Sequence, residues 1–294
     1  MPELPEVETV VRDLRRKISG RTITGSWWDW AKIIKKPTPA LFKRRIKGLE
    51  INDVKRRGKN ILIYLSQDYV LLIHQKLTGH LLVGKWRISV RGRKPSAVSL
   101  IKGVLEERVN DYIRFILYLD DGRMIGLSDL RRFAKVLLVK RGELDKLPDI
   151  AFLGPEPLNP KFVFKEFKDR VASRKRAIKQ VLMDQEVVVG IGNIYSDDIL
   201  WLAKVHPLKP ANKLTEIELR RVWLSTKKVL AKAIKLRGTS VADFRDTAGE
   251  PGQYGPGILA YRLTGKPCRR CGTPIKRLKV GGRSAHFCPK CQKI

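Results

Sequence analysis

The sequence predicts a multidomain α+β protein: an N-terminal β-sandwich with one flanking helix, a helical C-terminal half, and a small finger built on four cysteines. Three observations predict it. Apolar residues recur at helical spacing at the very start and then give way to short β-rich runs up to about residue 140; a cluster of prolines and glycines follows; beyond it the helical period returns, with all four cysteines after residue 267. A chain of 294 residues exceeds the roughly 100–200 that one core serves, so two folded domains are the starting expectation.

The first helix is read from Pro5 to Ile18. Val7, Val10, Val11, Leu14 and Ile18 share one face, Pro5 suits a first turn and Gly20 follows as a stop. Strands are expected at Ile61 to Leu65, Tyr69 to His74, Ala97 to Ile101, Tyr112 to Leu119 and Arg132 to Val139, with Asp121-Gly122 as a hairpin turn. Residues 141–160 carry Gly142, Pro148, Gly154, Pro155, Pro157 and Pro160, a density of breakers that suits a linker. Helices are expected at Lys161 to Ala172, Arg174 to Met183, Tyr195 to Ala203 and Thr215 to Leu236; Thr215 and Glu218 have capping-box spacing and Gly238 marks the end. Arg245 to Gly257, rich in glycine and proline, reads as a surface loop of low intrinsic order. The expected domains are thus 1–140, a linker at 141–160, a helical domain at 161–262 and a finger at 263–294.

Sixty-one Lys plus Arg against 29 Asp plus Glu give a net charge of +32. Such a field attracts polyanions, and nucleic acid is the leading partner. A membrane surface is also anionic, but no apolar run approaches the ~20 residues of a span, and Met1-Pro2-Glu3-Leu4-Pro5-Glu6 lacks the basic-then-apolar pattern of a signal peptide. A cytoplasmic location is expected. There disulfides are improbable, and Cys268-x2-Cys271-x16-Cys288-x2-Cys291 has the spacing of a four-thiolate site for one structural Zn2+. The last 30 residues hold nine Lys or Arg and no acid, so the finger's surface suits phosphate.

Candidate chemistry sits at the N-terminus. Loss of Met1 would expose the secondary amine of Pro2; α-amino groups have pKa near about 8, so a neutral, nucleophilic fraction exists at physiological pH. Attack on a sugar C1′ gives an iminium, an electron sink that acidifies the C2′ hydrogen and opens the way to elimination of the 3′ phosphate. Proton transfer in such chemistry needs carboxylates, and Glu3 and Glu6 are at hand, although Glu6 also fits as an ordinary first-turn acid. Gly190-Ile191-Gly192-Asn193-Ile194-Tyr195, between two expected helices, is either a plain turn or a phosphate-binding helix entrance with Asn193 as an added donor.

Met1 to Thr9, Arg56-Arg57-Gly58-Lys59, Asp129 to Phe133, Leu153 to Leu158, Val188 to Tyr195 and the cysteine finger together resemble the formamidopyrimidine-DNA glycosylases over essentially the whole chain. The resemblance implies a helix–two-turn–helix in the C-terminal half. It also implies a bifunctional glycosylase and abasic-site lyase of base excision repair, excising 8-oxoguanine and formamidopyrimidines through a Schiff base on the N-terminal proline, then β,δ-elimination. It makes Pro2 the nucleophile, Glu3 the general acid, Glu6 a second essential carboxylate and Lys59 a catalytic-site cation. Asn193 and Arg283 are then phosphate contacts, and residues 245–257 the loop that closes over an extruded base. The partner implied is double-stranded DNA with an oxidised base or abasic site, bound by a monomer.

An extruded base leaves a gap in the stack, which the family fills with a methionine, an arginine and a phenylalanine. Arg131 and Phe133 match two of these. Leu77 takes the methionine position, and Lys76 replaces the family's usual glycine. Leu is apolar and of similar volume, although Leu77 and Phe133 also read as core residues. Two rivals differ in substrate or class: an endonuclease VIII-like glycosylase for oxidised pyrimidines, disfavoured by Leu4 and Val7-Glu8-Thr9, and a non-catalytic zinc-dependent DNA-binding protein, which has no need of Pro2, Glu3 and Glu6. An RNA-binding or ribosomal protein is a third option with the same difficulty.

Overall fold

Alternation of apolar residues along the strands of the first half buries one face of each of two sheets, and the helix at the start of the chain joins the same core. The computed structural model describes residues 2–91, 94–101, 108–241 and 243–294. It forms two compact units: Met1–Ala151 with Arg237–Gln253, and Phe152–Leu236 with Tyr254–Ile294.

In the first unit, α1 (Leu4–Ile18) is followed by β1 (Ile23–Trp28), β2 (Ile34–Lys36), α2 (Pro39–Ile46), β3 (Ile51–Arg57), β4 (Asn60–Leu65), β5 (Tyr69–His74), β6 (Gly79–Gly84), β7 (Trp86–Arg91), β8 (Lys94–Ser99), β9 (Ile113–Leu119), β10 (Met124–Asp129), β11 (Lys135–Lys140) and the short α3 (Pro148–Ala151). One sheet has the order β1-β9-β10-β6 and the other β2-β11-β5-β4-β3, antiparallel except where β2 meets β11. Ile61, Ile63, Leu71, Ile73, Leu81, Val83, Phe115, Leu117, Ile125, Leu127, Val136 and Leu138 point into one core, which Val7, Val10, Val11, Leu14 and Ile18 of α1 complete. The period of two in the strands and the 3-4 period in α1 therefore meet in a sandwich flanked by a helix, as expected.

The expected hairpin is present: Leu119 N–H bonds to Arg123 O across Asp121-Gly122, with Gly122 at φ 77. Several elements differ from the sequence reading. Arg132 to Val139 begins as a turn rather than a strand, because Asp129 accepts N–H groups from Arg131 (3.2 Å) and Ala134 (2.7 Å), so that β11 starts only at Lys135. The expected strand Ala97 to Ile101 lies earlier, at Lys94–Ser99 paired to β7. Helix α2 and the strands β1, β2, β3, β6, β7 and β10 lie where the sequence predicts no element.

In the second unit, α4 (Phe164–Ala172), α5 (Ile178–Met183), α6 (Asn193–Ala203) and α7 (Glu216–Lys235) are followed by the hairpin β12 (Lys276–Val280) and β13 (Arg283–Phe287). Phe162, Phe167 and Trp223 stack edge-on and tilted at 5.1–6.4 Å between α4 and α7. The capping box is present: Thr215 Oγ1 accepts from Glu218 N–H, and Glu218 Oε2 from Thr215 N–H. Helix α5 is shorter than Arg174 to Met183 because the backbone of 174–177 is engaged elsewhere: the Ala211 and Asn212 N–H groups bond to Arg176 O and Arg174 O.

Two boundaries are corrected. Residues 141–151 are not linker but a 3-10 turn and α3 within the first unit, and 237–253 returns to that unit instead of staying with the helices. Residues 245–254 form no helix or strand, as a loop should, but the head of the loop is organised. Asp246, buried at 4% exposure, accepts N–H bonds from Ala248 (2.8 Å) and Glu250 (3.0 Å), and its own N–H bonds to Glu250 O. An aspartate at the head of a loop competes well for nearby N–H groups, and that pattern outweighs the glycine content.

Candidate active site and metal centre

The first turn of α1 is buried. Pro2 has no contact with solvent to speak of, and Glu3 and Glu6 are each 2% exposed. Glu3 is the N-cap, and Glu6, one turn on, accepts from Glu3 N–H through Oε2 at 2.9 Å. Its other oxygen accepts from Thr239 N–H at 2.8 Å. Glu6 thus spends both oxygens on backbone, fixing the Pro2-Glu3 turn to residues 238–239. Gly238 is required there twice over: it sits at φ 76, and a Cβ would lie 2.6 Å from Glu6 Oε1.

Behind this contact lies an ionic tie on two buried carboxylates. Arg237 donates to Asp13 of α1 (2.6 Å to Oδ2) and also to Asp246, while Lys17 Nζ donates to Thr247 Oγ1 (2.9 Å). Burial alone would raise the Asp13 carboxyl, but the hydrogen bonds and charge of Arg237 hold it below the usual range. Sequence reasoning missed Asp13, Arg237 and Thr239; the one available signal was Gly238, taken only as a helix stop.

Lys59 lies in the two-residue turn between β3 and β4, where Gly58 takes φ 58, and is 8% exposed. Arg56, in the same basic run, is structural: its Nε pairs with Glu8 of α1 at 2.8 Å and it donates to Gly58 O, so the turn carrying Lys59 is braced against α1. Asn60 Nδ2 adds a bond to Asp149 O.

Leu77, Arg131 and Phe133 lie on two neighbouring turns, 75–78 and 130–133. Asp129, fully buried, joins the turns: its Oδ1 accepts from Thr78 Oγ1 at 2.6 Å, and Thr78 Oγ1 accepts from Arg131 N–H. Leu77 is half-buried in a turn rather than in a strand core, and Phe133 is 49% exposed with the Arg131 guanidinium 4.7 Å from its ring centre. Neither residue belongs to the apolar core, so the core reading of both is set aside. His74, just before the first turn, accepts from Lys76 N–H through Nδ1 at 2.9 Å. Burial, with Lys76 and Lys59 nearby, pushes its pKa down to about 3, which keeps that nitrogen an acceptor at neutral pH.

In the second unit, Asn193 is the first residue of α6, preceded by Gly190 at φ 94 and Gly192 in extended conformation. Gln185 organises this turn, accepting from Gly190 N–H (2.9 Å) and donating to Ile191 O (2.9 Å). Gly154 packs against it so closely that a Cβ would meet Glu186 O at 2.4 Å. The Asn193 Oδ1 is buried without a hydrogen-bond partner among the described residues.

The finger hairpin turns at Gly281-Gly282 (φ 53 and 78), and Arg283 stands exposed beside them. The Sγ atoms of Cys268, Cys271, Cys288 and Cys291 lie within 4.8 Å of one another. A tetrahedral zinc with Zn–S near 2.3 Å requires S–S separations of about 3.8 Å, and the cluster lies around that spacing, with two pairs at 3.4 Å and all within 4.8 Å. Trp201 Nε1 and Cys291 N–H point at Cys268 Sγ (3.3 Å) and Cys288 Sγ (3.4 Å), the donors that bound thiolates need. Asp197 ties the finger to the helices, accepting from His286 N–H and Nδ1 and from the buried Lys179.

Three family models match the chain: the formamidopyrimidine-DNA glycosylase N-terminal domain over residues 1–136, the formamidopyrimidine-DNA glycosylase H2TH domain over 153–245, and the zinc finger found in FPG and IleRS over 265–294. The chain is 39% identical over 293 residues to the formamidopyrimidine-DNA glycosylase of Herpetosiphon aurantiacus, covering 99% of this chain and 100% of the relative. Among solved structures, the Lactococcus lactis Fpg in complex with abasic-site DNA aligns with a TM-score of 0.86 at 30% identity, over 99% of this chain and 100% of that one. A mutant of the same protein with Fapy-dG containing DNA gives 0.86 at 31% identity, over all of both chains.

Proposed function

Because this chain belongs to the formamidopyrimidine-DNA glycosylase family, we propose that it excises oxidised purines from double-stranded DNA and then cleaves the abasic strand, using the Pro2 amine as nucleophile. The observation that carries this reading is the buried Pro2-Glu3 turn, locked by a carboxylate that spends both oxygens on backbone N–H groups. A capping box stabilises any helix start, but the second bond, from Thr239 N–H far along the chain, also holds the turn still, which a nucleophile needs to keep its lone pair aimed. The amine exists only after Met1 is removed, and Met1 lies outside the described residues.

The neutral Pro2 nitrogen attacks C1′, the bond to the base breaks with the electron pair leaving on the base, and the base ends protonated by the proton that the Pro2 nitrogen gives up. Glu3 protonates the ring oxygen as the sugar opens to the iminium. Loss of the C2′ proton then expels the 3′ phosphate, and a second elimination expels the 5′ phosphate. Glu6, with its oxygens committed, acts as a positioning residue rather than a proton carrier. Lys59 supplies positive charge toward the strand. Leu77, Arg131 and Phe133, on turns knotted by Asp129, fill the space the base vacates, and Asn193 and Arg283 contact phosphates. The structural zinc on the four cysteines shapes the finger and takes no part in the chemistry.

The two units suggest functional domains at 1–151 with 237–253, at 152–236 with 254–262 and, for the finger, at 263–294. No helix among the described residues is long and apolar enough to cross a membrane; a cytoplasmic enzyme acting as a monomer is the reading that the family resemblance supports. The test is excision across duplexes that each carry one lesion. Fast release of 8-oxoguanine and formamidopyrimidines is expected; preference for oxidised pyrimidines would contradict the substrate class.

A further inference from the structure

We infer that Lys76 is a further DNA-gripping residue, its ammonium taking a backbone phosphate of the strand held at the active site; the inference rests on the glycosylase reading above. Lys76 sits at φ 55, in the left-handed region where an L side chain is strained and glycine is the comfortable choice. Nothing in the fold repays that strain: its N–H bond to His74 Nδ1 is a backbone contact that glycine would make as well, and the Lys76 ammonium has no ion pair or hydrogen bond among the described residues.

The surroundings are short of negative charge. His74 and Lys135 face each other across β5 and β11, and Lys59, Lys76 and Lys135 all act electrostatically on the His74 ring. The carboxylate that acts on Lys76 is Asp149, and Lys135 already holds it at 2.9 Å. Lys76 and Lys135 around one carboxylate repel each other in the free protein, and an arriving phosphate relieves that repulsion while releasing the strand's counterions. Burial, and secondly Lys135, pull Lys76 below the ordinary lysine range, as befits an ammonium short of solvent and partners. Lys76 also adjoins Leu77, so a grip there places a phosphate next to the residue that enters the base stack.

The test compares wild type with Lys76→Gly, Lys76→Gln and Lys76→Arg, measuring affinity for a duplex containing an abasic-site analogue over a series of salt concentrations. Lys76→Gly and Lys76→Gln should bind several-fold more weakly and lose about 0.9 from the slope of log K against log salt, the share of one phosphate, while Lys76→Arg keeps the slope. The melting temperature of Lys76→Gly should not fall, because the strain is relieved, whereas a structural lysine would lower it. Wild-type slopes in both Lys76→Gly and Lys76→Gln would overturn the inference. So would inorganic phosphate that raises the melting temperature of wild type but not of Lys76→Gly, which would make this a free-anion site. Borohydride trapping on the same proteins separates the two levels: absence of any Pro2 adduct in wild type, with the slope difference intact, defeats the catalytic reading alone.

Discussion

The turn that begins α1 and the finger that ends the chain both hold a few residues in fixed positions, and they do it by different means. At the α1 turn the fixing is borrowed from a large core. Val7, Val10, Val11 and Leu14 bury the helix in the sandwich, and Glu6 and Asp13 then tie it to residues 237–239. The finger has two five-residue strands and a small cluster of Cys268, Ile275 and Cys288 against Trp201 and Ala260. So little apolar surface cannot order a hairpin, and the metal supplies the missing free energy. Rigidity at the first site is a property of the domain; at the second it is a property of the ion.

Removing zinc should therefore separate the two most sharply. Chelation, or Cys288→Ser, is expected to abolish high-affinity DNA binding while the sandwich keeps its cooperative melting. Zinc content by atomic absorption, with melting followed by tryptophan fluorescence, checks this, and zinc-free protein that binds DNA normally would break the comparison.

Gly238→Ala probes the other side. The added methyl would have to displace Glu6 Oε1 from 2.6 Å and sit at φ 76, at a cost of about 1–3 kcal/mol. Trapping of DNA by borohydride should slow by well over tenfold, with zinc content and DNA affinity little changed. Equal loss of binding and trapping would show that the 238–239 contact serves the whole fold rather than the nucleophile.

Leu77→Ala should have the smallest effect on the protein and a selective one on the chemistry. Because Leu77 is half-buried in a turn, its truncation should cost less than the roughly 2–5 kcal/mol of a core leucine. Excision of an intact lesion base should slow markedly, and cleavage at a preformed abasic site much less. Parallel loss of both, in a protein with a lowered melting temperature, would return Leu77 to a packing role.

What the sequence revealed was local. The finger follows from thiol spacing, α1 from its apolar stripe and caps, and the 121–122 hairpin from Asp-Gly, whereas the roles of Pro2 and Glu3 are proposals that rest on the chemistry of an N-terminal amine and on the family. What it concealed depends on segments far apart in the chain. Arg237 meets Asp13 across more than 220 positions, Asp129 and Thr78 knot two turns, and residues 237–253 return to the first unit; no periodicity encodes any of these. The order at the head of the 245–257 loop was not legible, because glycine and proline content says nothing of Asp246. Lys76 was visible as an oddity, but its left-handed backbone was not. Helix α2 escaped notice because its eight residues bury only Phe42 and Ile46, too few for a period.

The claim beneath all this is that the fixed α1 turn presents the Pro2 amine to a sugar carbon. Protein freed of Met1 is incubated with abasic-site duplex and borohydride, digested, and the cross-linked peptide sequenced. The account predicts a single adduct whose peptide begins at Pro2 and which vanishes when Met1 is retained; an adduct on Lys59, Lys76 or any other lysine would contradict it.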